Sequence, residues 1–154
     1  MKNLILLIIS TTLLLSCNQT KQEGQSTKKE QVNGAIGKSV SLSVEPNVFK
    51  LSELPGIVTV TMTNNTNDTI TTGLHYQIEN YENNEWKEIL PKDIMFHDLG
   101  FQLKPTGTES FEKKLYKDQI NYKMGTYRIV KYYLNPDYQK SKEDFNVYAE
   151  FEVQ

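Results

Sequence analysis

From Lys38 onward, apolar residues recur at every second position. Val40, Leu42 and Val44 alternate with Ser39, Ser41 and Ser43, and Val58, Val60 and Met62 alternate with Thr59, Thr61 and Thr63. The same holds for Leu74, Tyr76 and Ile78 against His75, Gln77 and Glu79. It holds again for Phe145, Val147, Ala149, Phe151 and Val153 against Asn146, Tyr148, Glu150 and Glu152. A period of two sends successive side chains to opposite faces, so each segment predicts a half-buried antiparallel strand with one wet face. No segment keeps a helical period, and the polar stretch Asp137–Asp144 predicts a loop or one short helical turn.

Turn-forming residues separate these segments: Asn64–Asp68, Asn83-Asn84, Pro105-Thr106-Gly107 and Asn135-Pro136-Asp137. Asn83-Asn84, between two strand-like runs, predicts a hairpin. The expected strands are 39–45, 57–63, 73–81, 85–90, 108–115, 125–134 and 145–153. About seven short strands point to an all-β, immunoglobulin-like antiparallel β-sandwich, with an eight-stranded barrel as the structural rival.

The first residues have a different character. Met1-Lys2-Asn3 is short and positively charged, and Leu4–Leu15 is apolar apart from Ser10, Thr11 and Thr12. Twelve residues fall short of the roughly 20 needed to span a bilayer but match the core of a signal peptide. Leu14-Leu15-Ser16-Cys17 resembles the bacterial lipobox, although the pattern prefers a smaller residue at the place of Leu15. That resemblance implies that residues 1–16 are a lipoprotein signal peptide, cut before a Cys17 that carries acyl chains and anchors the protein to a membrane. Asn18 is not the Asp that resembles an inner-membrane retention signal, so the resemblance implies the outer membrane where a cell has two. Residues 17–37 are expected to be the lipidated cysteine and a disordered tether. Asn18–Gly37 holds only three aliphatic residues, Val32, Ala35 and Ile36, too few to offset the entropy of ordering it. Twenty such residues would hold the domain, residues 38–154, about 25 Å from the bilayer.

The full chain has a net charge of −2. Removing Met1–Ser16 takes away Lys2 and leaves 16 basic and 19 acidic side chains, a net charge of −3. That balance gives no electrostatic footprint for nucleic acid.

Five segments then carry a family resemblance: IVTVTMTNNTNDTI, GLHYQIENYENNEWKEI, LKPTGTESF, MGTYRIVKYY and AEFEV. Together they resemble the bacterial immunoglobulin-like domains of envelope and secreted proteins, over about residues 39–153. The resemblance implies the sandwich fold, and it implies a binding module, spacer or stalk without specifying which. Tyr127 stands where a tyrosine corner would stand, its hydroxyl bonding the backbone a few residues upstream; plain core packing is the alternative. Trp86 is expected between the two sheets as core rather than as a sugar platform. Cys17 is the only cysteine, so no disulfide is expected to join the sheets.

The candidate chemistry is sparse. His75 is expected to face solvent, and His97-Asp98 to be a loop pair. Neither histidine belongs to a metal motif, and neither a G-x-S-x-G elbow nor a Gly-rich phosphate loop occurs. The expectation is a monomeric, non-enzymatic domain without cofactors or metal. Asp68-Thr69-Ile70 resembles the three-residue O-glycosylation site of some envelope bacteria, which would make Thr69 an acceptor; its ordinary role is strand entry. Seven of the nine tyrosines fall at or after Tyr116, and basic residues gather between 113 and 131. Tyrosine and arginine are enriched in interfaces, so Lys113, Lys114, Lys117, Arg128 and Tyr132 are expected to form a binding face. The alternative is that the tyrosines fill a polar core and the lysines solvate strand edges.

These readings converge on a lipid-anchored, non-catalytic envelope protein that binds a protein or glycan partner. Two rivals are an envelope enzyme or inhibitor with an unrecognised site, and a purely structural accessory domain.

Overall fold

The computed structural model describes residues 39–154 and one short strand before them, Lys29–Glu30. The expected signal peptide, Cys17 and the remainder of the tether lie outside the described residues. The strands in chain order are β1 (Lys29–Glu30), β2 (Val40–Val44), β3 (Val48–Phe49), β4 (Ile57–Asn64), β5 (Ile70–Gly73), β6 (Gln77–Glu82), β7 (Glu85–Glu88), β8 (Gly100–Leu103), β9 (Thr108–Lys114), β10 (Gly125–Leu134) and β11 (Asp144–Val153). One turn of helix, α1 (Tyr138–Ser141), joins the last two strands.

The small sheet has the order β2-β4-β9, all antiparallel. The large sheet is built on β10, which pairs with β11 along all ten residues on one side. On its other side β10 pairs first with β6 and then with β5, which carries β8. The hairpin β6–β7 turns at Asn83 and Asn84, whose φ angles of 55° and 63° give the twist that a two-residue hairpin loop needs. The chain leaves the small sheet after β2 and joins the large one as β3, parallel to the end of β11.

The expected period-two faces meet between the sheets. Val40, Leu42, Val44, Val58, Val60 and Met62 from the small sheet are buried against Ile78, Ile129, Val147 and Phe151 from the large one. Asn64 ends β4 wholly buried and closes the turn behind it. Its Oδ1 accepts from the Thr66 amide at 3.0 Å, and its Nδ2 donates to the Asp68 carbonyl at 2.8 Å and the Leu103 carbonyl at 2.9 Å. The last bond ties the small sheet to β8.

Two features depart from the expected strands. β1, β3 and β8 are additional; with two, two and four residues they are too short for a period to register, and β1 is a paired strand within the stretch expected to be a disordered tether. The expected strand 73–81 is also two strands, β5 and β6, separated by a bend at residues 74–76. Val130 pairs with Gln77 and Tyr133 with Thr72, so two residues of β10, Lys131 and Tyr132, stand opposite the four residues 73–76. Gly73 stands at this break, where a Cβ would meet the Tyr132 Oη at 2.5 Å.

Candidate functional site

Two lysines lie inside the sandwich. Lys113 of β9 is 3% exposed and Lys131 of β10 is 1% exposed. Both reach the bend between β5 and β6, where the interrupted ladder leaves three carbonyls in a row. Lys131 Nζ donates to the Gly73 carbonyl at 2.5 Å and the His75 carbonyl at 3.5 Å. Lys113 Nζ crosses from the small sheet to the Leu74 carbonyl at 3.0 Å. The Phe111 ring lies 4.2 Å from the Lys131 ammonium and 5.2 Å from that of Lys113, and the Tyr76 ring lies 4.8 Å from Lys113. Carbonyl dipoles and ring faces thus replace the carboxylate that a buried ammonium ordinarily has. Burial lowers the pKa of Lys113 to about 8. Burial, and then the neighbouring Lys113 charge, lower that of Lys131 to about 7.

The outer face of the large sheet carries a second cluster. Arg128 is largely buried there, and its Nε donates to Glu79 Oε2 at 2.5 Å. Its guanidinium lies between two rings, 4.2 Å from the Trp86 centroid and 4.7 Å from that of Tyr148. Tyr81 pairs with Trp86 across the hairpin, their rings 5.0 Å apart. The register places Glu88 beside Glu79 and Glu150 beside Arg128, so carboxylates rim a row of aromatic rings around one cation. A guanidinium fixed between two rings presents their exposed parts in a preset geometry, which suits stacking of a sugar or a flat side chain.

Trp86 is therefore not core. It is half-buried on the wet face of β7, opposite Tyr81. The sequence contained the signal. With Tyr76 and Ile78 facing inward, Tyr81 must face outward, and a two-residue turn at Asn83-Asn84 sets Trp86 directly opposite it. The core is filled instead by Tyr127 and Phe151, whose rings stack 5.5 Å apart. Tyr127 is both things it was expected to be, buried and a corner: its Oη donates to the Lys123 carbonyl and accepts from the Lys123 amide, each at 2.9 Å.

The five residues expected to share a binding face do not share one. Lys113 points into the sandwich, because alternation along β9 turns it inward with Phe111 and Leu115. Lys114 is exposed at the end of the small sheet. Lys117 is exposed in the following loop, where its Nζ donates to the Leu54 carbonyl at 3.2 Å. Arg128 and Tyr132 lie on the outer face of the large sheet. β9 and β10 belong to different sheets, so the basic run in the sequence is divided among the interior and two surfaces. Thr69 is exposed just before β5. His75 is exposed, with its ring 4.9 Å from that of Phe96, and His97 is exposed in the loop before β8. Among the described residues no group of three or more His, Cys, Asp or Glu side chains is arranged to hold a metal ion. Also among them, no helix is long and apolar enough to cross a membrane.

A family model described as a bacterial Ig-like domain matches residues 37–152. No curated protein matches the chain. Among solved structures, the ASH / PapD-like domain of human CEP192 (PapD-like domain 7) is similar at 8% identity and a TM-score of 0.37. That match covers 85% of this chain and 96% of the other.

Proposed function

Because the chain belongs to the bacterial Ig-like domain family, whose domains are often used for binding and adhesion, we propose that it is a non-catalytic binding module. In this reading a lipid on Cys17 holds it at the cell envelope, and it meets a protein or glycan partner with the outer face of its large sheet. The observation that supports the partner surface is the place of Trp86. A tryptophan outside the core, stacked on a buried arginine and flanked by Tyr81 and Tyr148, has the make-up of the aromatic and arginine anchors that dominate interfaces. The attachment is supported by the Leu14-Leu15-Ser16-Cys17 motif. Acyl chains bound there would contribute about 0.8 kcal/mol per buried CH₂.

Two comparisons test the reading. Metabolic labelling with a fatty-acid analogue should mark the wild-type chain and not Cys17→Ala; equal label in both refutes the anchor. The intact lipoprotein and its Trp86→Ala variant should then be used to capture material from membranes. The reading expects a defined protein or glycan with the wild type and a large loss with the variant. Equal yield from both refutes the outer face as the contact surface.

A further inference from the structure

Between the β5–β6 bend and the loop that leads into β8 lies a pocket of about 300 Å³, at the small end of the range for ligand pockets. Leu74, His75, Phe96, His97, Asp98 and Tyr132 line it. None of them belongs to the buried interior: His75, His97 and Asp98 are exposed, and Leu74, Phe96 and Tyr132 are half-buried. Alternation along β10 builds the first wall, because it turns Lys131 into the sandwich and Tyr132 outward. Gly73 leaves room for the Tyr132 hydroxyl. The second wall is Phe96, whose ring is held against that of Tyr76, with centroids 5.1 Å apart and planes at 67°. The His75 ring lies near both walls, 4.9 Å from Phe96 and 6.3 Å from Tyr132. Asp98 follows a turn in which the Leu99 amide donates to the His97 carbonyl at 3.0 Å. Burial, and then the nearby Asp98, Tyr138 and Asp144, raise the pKa of the Tyr132 hydroxyl, so two carboxylates act on this wall. No lysine or arginine lines the pocket. The ammonium groups of Lys113 and Lys131 lie inside the sandwich, held by the carbonyls of the bend.

We propose that this pocket binds a small organic ammonium of the choline type, its cation held by the rings of Tyr132 and Phe96 and by the Asp98 carboxylate. The face of an aromatic ring attracts a cation, and more strongly when the cation is desolvated. A quaternary ammonium gives up little hydration, because methyl groups cover its charge. Those methyl groups also suit the apolar surface of Leu74 and the two rings. The carboxylates decide what stands next to the ammonium in the ligand. Asp98 and Asp144 repel a phosphate or a second carboxylate placed a few bonds away, so the free alcohol fits and its phosphorylated form does not. The same repulsion excludes a phosphocholine lipid headgroup as the occupant. The pocket shares the large sheet with the Trp86 surface but none of its residues, and it does not depend on that surface.

The probe is choline chloride, added to the intact lipoprotein in a sugar-headed detergent. Amide resonances are followed residue by residue, with sodium chloride at equal concentration as the reference. The inference expects saturable shifts centred on His75, Phe96, His97 and Asp98. The uncharged isostere 3,3-dimethylbutan-1-ol should bind about tenfold more weakly or worse, and so should phosphocholine. Tyr132→Ala should weaken choline by about tenfold, whereas Tyr132→Phe, which keeps the ring, should retain it. Asp98→Asn, at an exposed loop position, should weaken it several-fold without disturbing the rest of the spectrum. Trp86→Ala should leave choline binding unaltered, which separates failure of this site from failure of the partner surface. Absence of saturable shifts overturns the inference. So does equal affinity for the isostere, which marks a plain apolar pocket, or binding that survives both Asp98→Asn and Tyr132→Ala.

Discussion

The Arg128 guanidinium carbon lies 4.2 Å from the centre of the Trp86 ring, on the solvent side of the large sheet. This stack, rather than burial between the sheets, is what Trp86 contributes to the fold. Trp86→Ala should accordingly destabilise the domain by only about 1–2 kcal/mol, the scale of a partly desolvated cation–π contact. A core tryptophan would cost about 3–5 kcal/mol. Urea unfolding followed by circular dichroism distinguishes the two, and a loss in the higher range contradicts the outward placement.

The two interior lysines predict an unusual pH profile. Their amines have pKa values lowered from 10.5 to about 8 at Lys113 and about 7 at Lys131. The unfolded chain therefore binds more protons than the folded one between about pH 7 and 10.5, and stability must rise with pH across that window. Below it both states hold the protons and the cost of burial is present in full. Above about pH 10 the trend reverses, because the buried Tyr76 and Tyr122 hydroxyls have raised pKa values and the unfolded tyrosines ionise first. Unfolding free energy should increase by a few kcal/mol from about pH 6.5 to pH 9.5, and Lys131→Met should remove the larger part of that rise. A flat or falling profile in the wild type refutes the lowered pKa values of these buried amines.

Tyr127→Phe removes one hydroxyl and leaves the ring in place. The Lys123 amide loses its acceptor and the Lys123 carbonyl its donor, so the variant should lose about 1–3 kcal/mol. The loss should come with faster exchange of the Lys123 amide. Unchanged stability and protection would mean that Tyr127 acts through packing alone.

The sequence disclosed the fold where one rule governed each position. The alternation of Val58, Val60 and Met62 with threonines survives intact in β4, and Asn83-Asn84 is the hairpin turn it resembles. It misled where two rules competed. Lys113 and Lys131 occupy inward phases of β9 and β10, yet a charged residue argues for the surface. The carbonyls of Gly73, Leu74 and His75, which resolve that conflict, lie at a break set by the pairing of Thr72 with Tyr133 and of Gln77 with Val130, residues far apart in the chain. Trp86 was misplaced for a different reason: size suggested core, whereas the register across the hairpin put it opposite Tyr81. The basic run from Lys113 to Lys131 suggested one face, because chain proximity gives no sign of which sheet a strand joins.

The partner surface on the large sheet is the central claim, and crosslinking in living cells tests it most directly. A photoreactive residue replacing Tyr81, 5.0 Å from Trp86 and partly exposed, should yield a defined adduct in cells. The same probe at exposed Glu109, on the small sheet, should not. Trp86→Ala placed beside the probe should abolish the adduct while the protein stays folded and abundant. An adduct of equal yield at both positions, or one at Tyr81 that is indifferent to Trp86→Ala, would contradict the account.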